Sequence, residues 1–423
     1  MNSRTLTCIT AITLFAALAA PLRLVSQKQI RYSVTDLGTL GGTFSIAEAI
    51  NNKGWVDGSA NLPGDAQQHA ALWVHGLKID LGTLGGPNSL ALIGPNNRGQ
   101  IVGQAETSAP DPNNKNFCSF GTGNICRAFL WHDGVMRDLG TLGGNNSTAY
   151  DINNRGQVVG AAENTTTDTT CTSYQFQSKP AVWEEEEHEI RELPTFSGDP
   201  DGLIQVINDH GQAVGSSGNC NNIGAHALLW QDRTLTDLGN LGGTMYSVAF
   251  DINNRGQVIG TSDLPGDTTH HAFLWQDGAM TDLGTLDFYS AALAVNEEGL
   301  IVGLSCDQIG NCRALVWKNG VMTDLNTLIP AGSPLHLFFA GGVNSRGQIV
   351  GGAINNNTGQ FHAFLATPCK QDGGEAQGCE DCSETPAMHR EATLNVVMLE
   401  NVRKLIQQRI GVGRLEGGQI MPH

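Results

Sequence analysis

Short apolar segments alternate with polar turns along most of the chain, and the same turn residues recur each time. Residues 147–152 alternate enough to form a strand, and Asn153-Asn154-Arg155-Gly156 then interrupts them. Asn at the first turn position and Gly at the fourth favour a type I turn closed by a glycine bulge. Residues 157–160 return as a second strand, so each repeat is predicted to begin with a tight hairpin. Equivalent turns begin at Asn51, Asn96, Asn208, Asn253, Asn296 and Asn344.

The second half of each repeat has the pattern of another hairpin. A loop of variable length leads to a third strand, such as residues 271–275, and Asp277-Gly278 is a hairpin turn signal. Residues 279–283 are the fourth strand. Four antiparallel strands per repeat are typical of one propeller blade. The sequence therefore predicts an all-β protein, a seven-bladed β-propeller over residues 31–368.

The strand count also predicts how the ring closes. The fourth-strand pattern occurs seven times, first at residues 32–37, and the first three strands occur seven times, last at 337–366. The repeat region thus begins with a lone outer strand and ends without one. We expect the N-terminal strand to complete the last blade, which would leave no open sheet edge. A β-solenoid is the alternative, because a repeat period alone does not distinguish a ring from a stack.

The hairpin register predicts a repeated charged pair. A turn centred on Asp133-Gly134 pairs Phe129 with Asp138 and puts Arg127 diagonally across from Asp138 on the same face. His271 and Asp282 are the equivalent pair of the fifth repeat. We expect structural pairs with both partners largely buried, and no metal site, because Arg and Lys replace His in other repeats. The basic positions are His69, Arg127, Lys179, His226, His271, Arg313 and His362, and the acidic ones are Asp36, Asp80, Asp138, Glu192, Asp237, Asp282 and Asp324.

These motifs together resemble a known family. The Asp-Leu-Gly-Thr-Leu-Gly-Gly and Asn-Asn-x-Gly-Gln-Val-Val-Gly segments, with His271-Ala272-Phe273 and His362-Ala363-Phe364, are similar to the extracellular HAF repeat family. The resemblance covers the repeat region, and the fourth repeat departs most from it, beginning Glu192-Leu193-Pro194-Thr195-Phe196. It implies a bacterial exported repeat protein and brings no catalytic residues with it.

The N-terminal residues support export. Arg4 precedes an apolar run over residues 6–20, and Ala17-Leu18-Ala19 is a small-residue cleavage signal. We therefore predict a signal peptide over residues 1–20, with an uncleaved signal anchor as the alternative. The mature chain is then expected to have no membrane span and to be secreted, either extracellular or periplasmic.

Cysteine usage agrees with an oxidising compartment. Cys118 and Cys126 flank one loop and Cys306 and Cys312 flank another, so each pair is predicted to be a disulfide. Cys171 and Cys220 lie in equivalent loops of neighbouring repeats, and they could form a bridge between them. Three further cysteines are Cys369, at the end of the repeat region, and Cys379 and Cys382, which follow it. For these three, disulfide, free thiol and zinc ligand all stay open as interpretations.

Composition changes after residue 368. Residues 369–386 form a Cys- and Gly-rich linker, and residues 387–411 carry apolar side chains at three- and four-residue spacing. The second segment is predicted to be an amphipathic helix ending near Gly411. It would be a short helical extension of the propeller.

The variable loops are the predicted functional surface. The two longest insertions, residues 104–126 and 161–178, belong to adjacent repeats and would form one rim, and binding commonly develops on such loops. Asp65 and Asp267 follow Pro-Gly turns in two shorter loops and are either turn residues or cation ligands. The candidate ligand-binding residues are Asp65, Asp267, Phe117, Phe120, Tyr174 and Phe176.

Charge and motif content narrow the function further. The net charge of −17 argues against nucleic-acid binding, which requires Lys and Arg. No nucleophile elbow, zinc helix motif or phosphate loop occurs, so no catalytic residue and no cofactor are predicted. We expect a monomeric binding or scaffold module for a protein or carbohydrate. The alternative is an extracellular carbohydrate-active hydrolase or lyase, which would gather two carboxylates with a His or Tyr in one rim pocket.

Overall fold

A computed structural model describes residues 30–171, 175–184, 189–220, 222–232 and 234–369. The predicted signal peptide, the predicted helix over 387–411 and all but the first residue of the predicted linker lie outside this range, as does Tyr174. The described part contains no helix with the length and apolar character of a membrane span.

Within the described residues, 28 strands form seven antiparallel four-stranded sheets. Blade 1 contains β2 (Ser45–Ile50), β3 (Val56–Asn61), β4 (Gln68–Val74) and β5 (Leu77–Asp80). Blade 2 contains β6 (Gly85–Ala91), β7 (Ile101–Pro110), β8 (Asn124–His132) and β9 (Val135–Asp138). Blade 3 contains β10 (Ser147–Ile152), β11 (Gln157–Thr167), β12 (Phe176–Glu184) and β13 (Glu189–Glu192).

The other blades repeat this order. Blade 4 contains β14 (Asp201–Ile207), β15 (Ala213–Asn219), β16 (Asn222–Gln231) and β17 (Thr234–Asp237). Blade 5 contains β18 (Ser247–Ile252), β19 (Val258–Asp263), β20 (His270–Gln276) and β21 (Ala279–Asp282). Blade 6 contains β22 (Tyr289–Val295), β23 (Ile301–Cys306), β24 (Cys312–Lys318) and β25 (Val321–Asp324), followed by a 3-10 turn at Leu325–Thr327.

Blade 7 joins the two ends of the repeat region. Its strands β26 (Leu335–Val343), β27 (Ile349–Asn355) and β28 (Phe361–Pro368) are completed at the outer edge by β1 (Tyr32–Asp36). Tyr32 is aligned with Pro368, and Asp36 with Phe364. The structure thus confirms a seven-bladed propeller closed by the N-terminal strand and excludes the solenoid.

The register inside the blades follows the predicted hairpins. In blade 2, Phe129 is aligned with Asp138 and Trp131 with Met136. Apolar residues of facing blades share the core: Val102 and Leu130 of blade 2 pack in one buried cluster with Ala149 and Val158 of blade 3. The hydrophobic core is therefore distributed between blades, so no blade buries its apolar surface alone.

A glycine near the middle of the second strand allows the two inner strands to approach closely. A Cβ atom added to Gly160 would lie 2.0 Å from the carbonyl oxygen of Thr148, and one added to Gly260 would lie 2.0 Å from that of Val248. Both positions face a bulge in the inner strand. Since any side chain would collide with the backbone here, the Gly of the Val-Val-Gly segments follows from the bulged pairing.

Candidate functional site

The antiparallel blades give the ring two different faces. One, here named the turn face, carries the Asn-x-x-Gly turns and the outer hairpin turns such as Asp133-Gly134. The other, here named the loop face, carries the connections between second and third strands and those between consecutive blades. The variable insertions all lie on the loop face, as the strand order predicted.

Three disulfides stabilise the loop face. Cys118–Cys126 and Cys306–Cys312 each close one insertion, which confirms both predicted pairs. Cys171–Cys220 joins blade 3 to blade 4. The loops are thereby covalently held within and between blades.

A buried polar network links the insertions of blades 2 and 3. Lys115 of blade 2 lies 2.8 Å from the carboxylate of Glu163 in blade 3, whose side chain is only 1% exposed. Asn146 donates its amide to Asp111 at 2.6 Å and to Glu163 at 3.0 Å. Buried charges that are paired and hydrogen-bonded specify one arrangement, because losing a partner is costly. The described residues of the two insertions are therefore held in one arrangement.

The outer side of this surface is polar and uncharged. The exposed residues of the two insertions include Asn114, Asn116, Thr165, Thr166, Thr167, Thr169 and Thr170. Phe117 is buried beside the disulfide, with Lys115 Nζ 5.2 Å from its ring centre, while Phe120 and Phe176 are half-buried. Hydroxyl and amide groups at the tip, with aromatic edges below, suit a ligand that offers many hydrogen-bonding groups.

Asp65 and Asp267 connect neighbouring segments of the loop face. Asp65 accepts from the Thr43 N–H at 2.7 Å and from its hydroxyl at 3.0 Å. Asp267 makes the same two contacts with Thr244, at 2.7 and 2.8 Å. These backbone hydrogen bonds hold the pKa of both carboxyls below the usual range. Both Asp side chains are thus turn residues that anchor an interblade connection, and a cation-binding role stays a prediction.

The repeated charged pairs form, but their acidic partners are not buried. His271 Nδ1 lies 3.0 Å from Asp282, with side chains 17% and 42% exposed. Arg127 Nε lies 3.9 Å from Asp138, with side chains 22% and 43% exposed. The prediction that both partners are largely buried is therefore wrong. The physical reason is that the acidic residue belongs to the outermost strand, which faces solvent.

Three blades depart from this pairing, and in blade 3 the described residues Lys179 and Glu192 form no ion pair. In blade 4, His226 pairs with Asp199 at 3.0 Å. In blade 6, Arg313 lies 3.0 Å from Asp287 and 3.5 Å from Asp324. In both, an acidic residue of the preceding connection serves as a partner, which the strand register alone did not indicate.

On the turn face, the first Asn of every turn binds the next blade. Its side-chain Nδ2 donates to the main-chain oxygen of the equivalent Asn, and its Oδ1 accepts two N–H groups within its own turn. The seven interblade bonds, each 3.0 or 3.1 Å long, run Asn51 to Asn96, Asn96 to Asn153, Asn153 to Asn208, Asn208 to Asn253, Asn253 to Asn296, Asn296 to Asn344 and Asn344 to Asn51. The structural role of these Asn residues is thus an axial ring of hydrogen bonds.

The second residue of each turn lines a cavity of about 220 Å³ at the mouth of the central channel. Asn52 accepts from the Ser345 N–H at 3.0 Å, and Asn97 accepts from the Asn52 N–H at 3.3 Å. Asp209 and Glu297 accept from the amides of Asn154 and Asn254 in the same way. The lining residues are Asn52, Asn97, Asn154, Asp209, Asn254, Glu297 and Ser345. Sequence reasoning missed this cavity, although a polar residue at the second turn position in all seven repeats was the available signal.

Two carboxyl side chains are buried, one on the inner strand of blade 3 and one on the second strand of blade 1. Asp151 reaches the cavity and accepts from the Ile207 N–H of the next blade at 2.9 Å, and burial raises its pKa to about 8. Asp57 occupies a position that is Val or Ile in the other six repeats. It is fully buried, it accepts from the Ala49 N–H at 3.1 Å, and burial raises its pKa well above the usual range. Both carboxyls therefore favour the neutral form in the folded protein.

One group on the loop face of blade 5 has the residue types of a hydrolytic site. Asp263 lies near Tyr246, and the ring centres of Tyr246 and His270 are 6.1 Å apart. Burial raises the pKa of Asp263 to about 6, lowers that of His270 to about 4 and raises that of the Tyr246 hydroxyl. The His270 Nε2 and Tyr246 hydroxyl oxygen are both buried. Residues that are enclosed in this way do not present an open acid–base pair.

No protein-family model matches the chain, and no curated protein matches its sequence. The chain is similar to a puromycin-hydrolysing peptidase of Mycobacterium tuberculosis, with 12% identity and TM-score 0.46 over 79% of this chain and 56% of that one. It is also similar to dipeptidyl peptidase 4 of Porphyromonas gingivalis, with 9% identity and TM-score 0.30 over 73% and 50%. A third similar structure is a triple mutant of AofleA from Arthrobotrys oligospora, with 10% identity and TM-score 0.33 over 70% and 88%. The chain spans about half the length of the two peptidases, and TM-scores at this level carry no argument about activity.

Proposed function

We propose that the protein is an exported, non-enzymatic binding module whose loop face on blades 2 and 3 binds an uncharged, hydroxyl-rich ligand, a neutral carbohydrate. Export is supported by the three disulfides, which persist in oxidising compartments. It also agrees with the N-terminal signal pattern and with the resemblance to extracellular HAF repeats.

The observation that carries the proposal is the pre-organised surface formed by the two longest insertions. The pair Lys115–Glu163 and the bonds of Asn146 cross from blade 2 to blade 3 beneath that surface. A loop that is already ordered loses little conformational entropy when a ligand binds, so more of the contact energy contributes to affinity. A recognition surface needs a variable outer layer and fixed contacts beneath it that hold this layer in place.

The chemistry of the outer layer favours a neutral carbohydrate. Thr hydroxyls and Asn amides each donate and accept hydrogen bonds, and the exposed residues 165–167 carry three hydroxyls along one strand. A sugar offers hydroxyls of the same kind, and its apolar face can pack against half-buried aromatic rings such as Phe120. A charged ligand would find no compensating charge in this layer.

The hydrolase or lyase alternative has weaker support. General acid–base catalysis works best when the pKa of the catalytic group lies near the working pH. In the blade 5 group the pKa of Asp263 is about 6, but that of His270 is about 4 and burial raises that of the Tyr246 hydroxyl above its usual range. The group therefore offers no second side chain tuned to a neutral working pH. Asp267, which follows in the same loop, is engaged by Thr244. These residues are better explained as loop-face packing.

A glycan array with the purified full chain tests the proposal, with two matched variants. Thr166→Arg inserts a bulky cation in the proposed surface, and Thr236→Arg makes the same change on an exposed outer strand of blade 4. We expect the parent and Thr236→Arg to bind the same neutral glycans and Thr166→Arg to lose them. Equal loss in both variants, or no glycan bound by the parent, would contradict the proposal. Mass spectrometry of the bound glycans should find them uncleaved, and cleavage products would favour the hydrolase.

A further inference from the structure

A ring of basic residues surrounds the axial cavity on the turn face. They occupy the third position of the Asn turns, directly after the residue that lines the cavity. The seven positions hold Lys53, Arg98, Arg155, His210, Arg255, Glu298 and Arg346, and all seven side chains are exposed. Five of the 24 Lys and Arg residues of a chain with net charge −17 are therefore gathered around one axis.

These basic side chains are not neutralised by the protein. Lys115, Arg127 and Arg313 elsewhere in the chain all pair with carboxylates. By contrast, among the residues that the structure describes, none of the six basic side chains of the ring forms an ion pair with a carboxylate. Arg155 donates instead to the neutral amide of Gln157, at 2.7 Å. The positive charge of the ring therefore remains available to a ligand.

Two of the arginines extend around the ring from one blade to the next. A Cβ atom added to Gly211 of blade 4 would lie 2.6 Å from a guanidinium nitrogen of Arg155 of blade 3. One added to Gly54 of blade 1 would lie 2.7 Å from a guanidinium nitrogen of Arg346 of blade 7. Glycine at the fourth turn position thus leaves space for the arginine of the preceding blade. These two guanidinium groups therefore lie along the ring of turns, between neighbouring blades.

The outer edge of the same face carries the opposite charge. The outer hairpin turns of blades 2, 4 and 5 present the exposed carboxylates of Asp133, Asp232 and Asp277. A broad anionic surface such as a lipid bilayer would meet these carboxylates together with the basic ring and be repelled by them. A small anion that approaches along the axis meets five Lys and Arg side chains, which outnumber the carboxylates of Glu298, Asp209 and Glu297 around the same mouth. Charge complementarity therefore favours a compact ligand over a membrane.

We propose that the axial mouth of the turn face is a second binding site, which takes a compact ligand bearing two or more phosphate, sulfate or carboxylate groups. Guanidinium groups match the oxygens of these anions with paired, charge-assisted hydrogen bonds. The cavity of about 220 Å³ beneath the ring adds side-chain amides of the Asn turns, and it also contains the carboxylates of Asp209 and Glu297. The site lies on the face opposite the proposed carbohydrate surface and does not depend on it.

The proposal is tested by calorimetric titration of the full chain with inorganic tripolyphosphate at low ionic strength. The variant Arg98→Gln/Arg155→Gln/Arg346→Gln removes three charges from the ring. Its control, Lys78→Gln/Arg191→Gln/Lys318→Gln, removes three exposed charges that belong to third and fourth strands. Three exposed ionic contacts together contribute about tenfold in affinity. We expect about tenfold weaker binding in the ring variant and less than about twofold change in the control.

A variant that is expected to bind tripolyphosphate more tightly provides a second, independent test. Glu298→Arg supplies the missing cation and should tighten tripolyphosphate binding, and Thr166→Arg on the loop face should leave it unchanged. Inorganic phosphate alone should bind much more weakly than tripolyphosphate, because it engages fewer cations. Equal weakening in the ring variant and its control would reduce the effect to overall charge and overturn the proposal. Binding to phosphatidylglycerol vesicles without binding to tripolyphosphate would also overturn it, in favour of a lipid surface.

Discussion

The side-chain amide of Asn344 donates to the main-chain oxygen of Asn51 at 3.0 Å, across 293 residues of sequence. This bond closes the ring of seven Asn side chains around the propeller axis. It joins blade 7 to blade 1 at the innermost radius, while β1 and β28 join the ends of the repeat region at the outermost. The ring is therefore closed twice, by side chains at the axis and by a strand at the rim.

Removing the axial bond should destabilise the propeller. Asn344→Ala removes one of the two donors to the Asn51 oxygen, which still accepts from the Gly54 N–H. It also removes the acceptor for the Arg346 and Gln348 N–H groups. Each buried polar group left unpaired costs about 1–3 kcal/mol. We expect a loss of at least about 2 kcal/mol in the free energy of unfolding, measured by urea denaturation. The exposed Asn357→Ala should unfold like the parent, and an unchanged Asn344→Ala would show that the axial ring contributes nothing.

The channel carboxyl of Asp151 makes stability depend on pH in an unusual direction. Its pKa is about 8 in the folded protein and near 3.8 when unfolded, so the folded state binds the proton more tightly. Its contribution is full below about pH 4 and is lost as the pH rises towards 8, by roughly 1.4 kcal/mol per titrated pH unit at most. Asp151→Asn keeps an acceptor for the Ile207 N–H and should remove much of this loss. Melting temperatures from pH 5 to 8 would show it, and parallel profiles for parent and variant would refute the assignment.

The interblade disulfide should stabilise more than the local ones. Cys171–Cys220 closes a sequence separation of 49 residues, whereas Cys306–Cys312 closes one of 6. Chain-entropy arguments give about 4 kcal/mol for the long loop and about 2.4 kcal/mol for the short one. Paired Cys→Ser variants, compared by thermal unfolding, should follow this order. Non-reducing peptide mapping provides the control, and free thiols at these positions would contradict the pairing itself.

The pair His271–Asp282 should contribute little to stability. Asp282 is 42% exposed, so water screens its contact with His271. Asp282 also accepts from the Gly284 N–H at 2.7 Å, which is a local turn contact. We expect Asp282→Ala to lower the free energy of unfolding by about 0.5–1 kcal/mol. A loss several times larger would mean that the outer strand is shielded in solution.

Much of the fold could be predicted from the sequence because its repeats carry local signals. The turn from Asn153 to Gly156 and the Asp-Gly hairpins each specify a backbone conformation, and counting strands from Tyr32 gave the closure. The features that could not be predicted depend on how the strands and blades pack together in the folded protein. The exposure of Asp282 depends on which strand is outermost, and the pKa of Asp151 depends on a channel that exists only after seven blades assemble.

The candidate site was predicted only in part, for similar reasons. The strand order correctly predicted that the insertions lie on one face. The short sequence spacing of the cysteines correctly predicted the disulfides Cys118–Cys126 and Cys306–Cys312. The contact of Lys115 with Glu163 could not be predicted. It joins residues of two blades, and the sequence does not show how the loops of one blade are positioned against those of the next. The basic ring was visible as the third turn residue of each repeat. Its significance required knowing that seven turns converge on one axis.

Hydrogen–deuterium exchange of the full chain, with and without the glycan selected by the array, tests the central claim most directly. The account predicts that bound glycan protects residues 104–126 and 161–178 and leaves the rest of the ring unchanged, because the surface is already ordered. It also predicts that the glycan is recovered intact. Protection confined to the turn face or to the blade 5 residues 246–270, or recovery of a cleaved glycan, would contradict it.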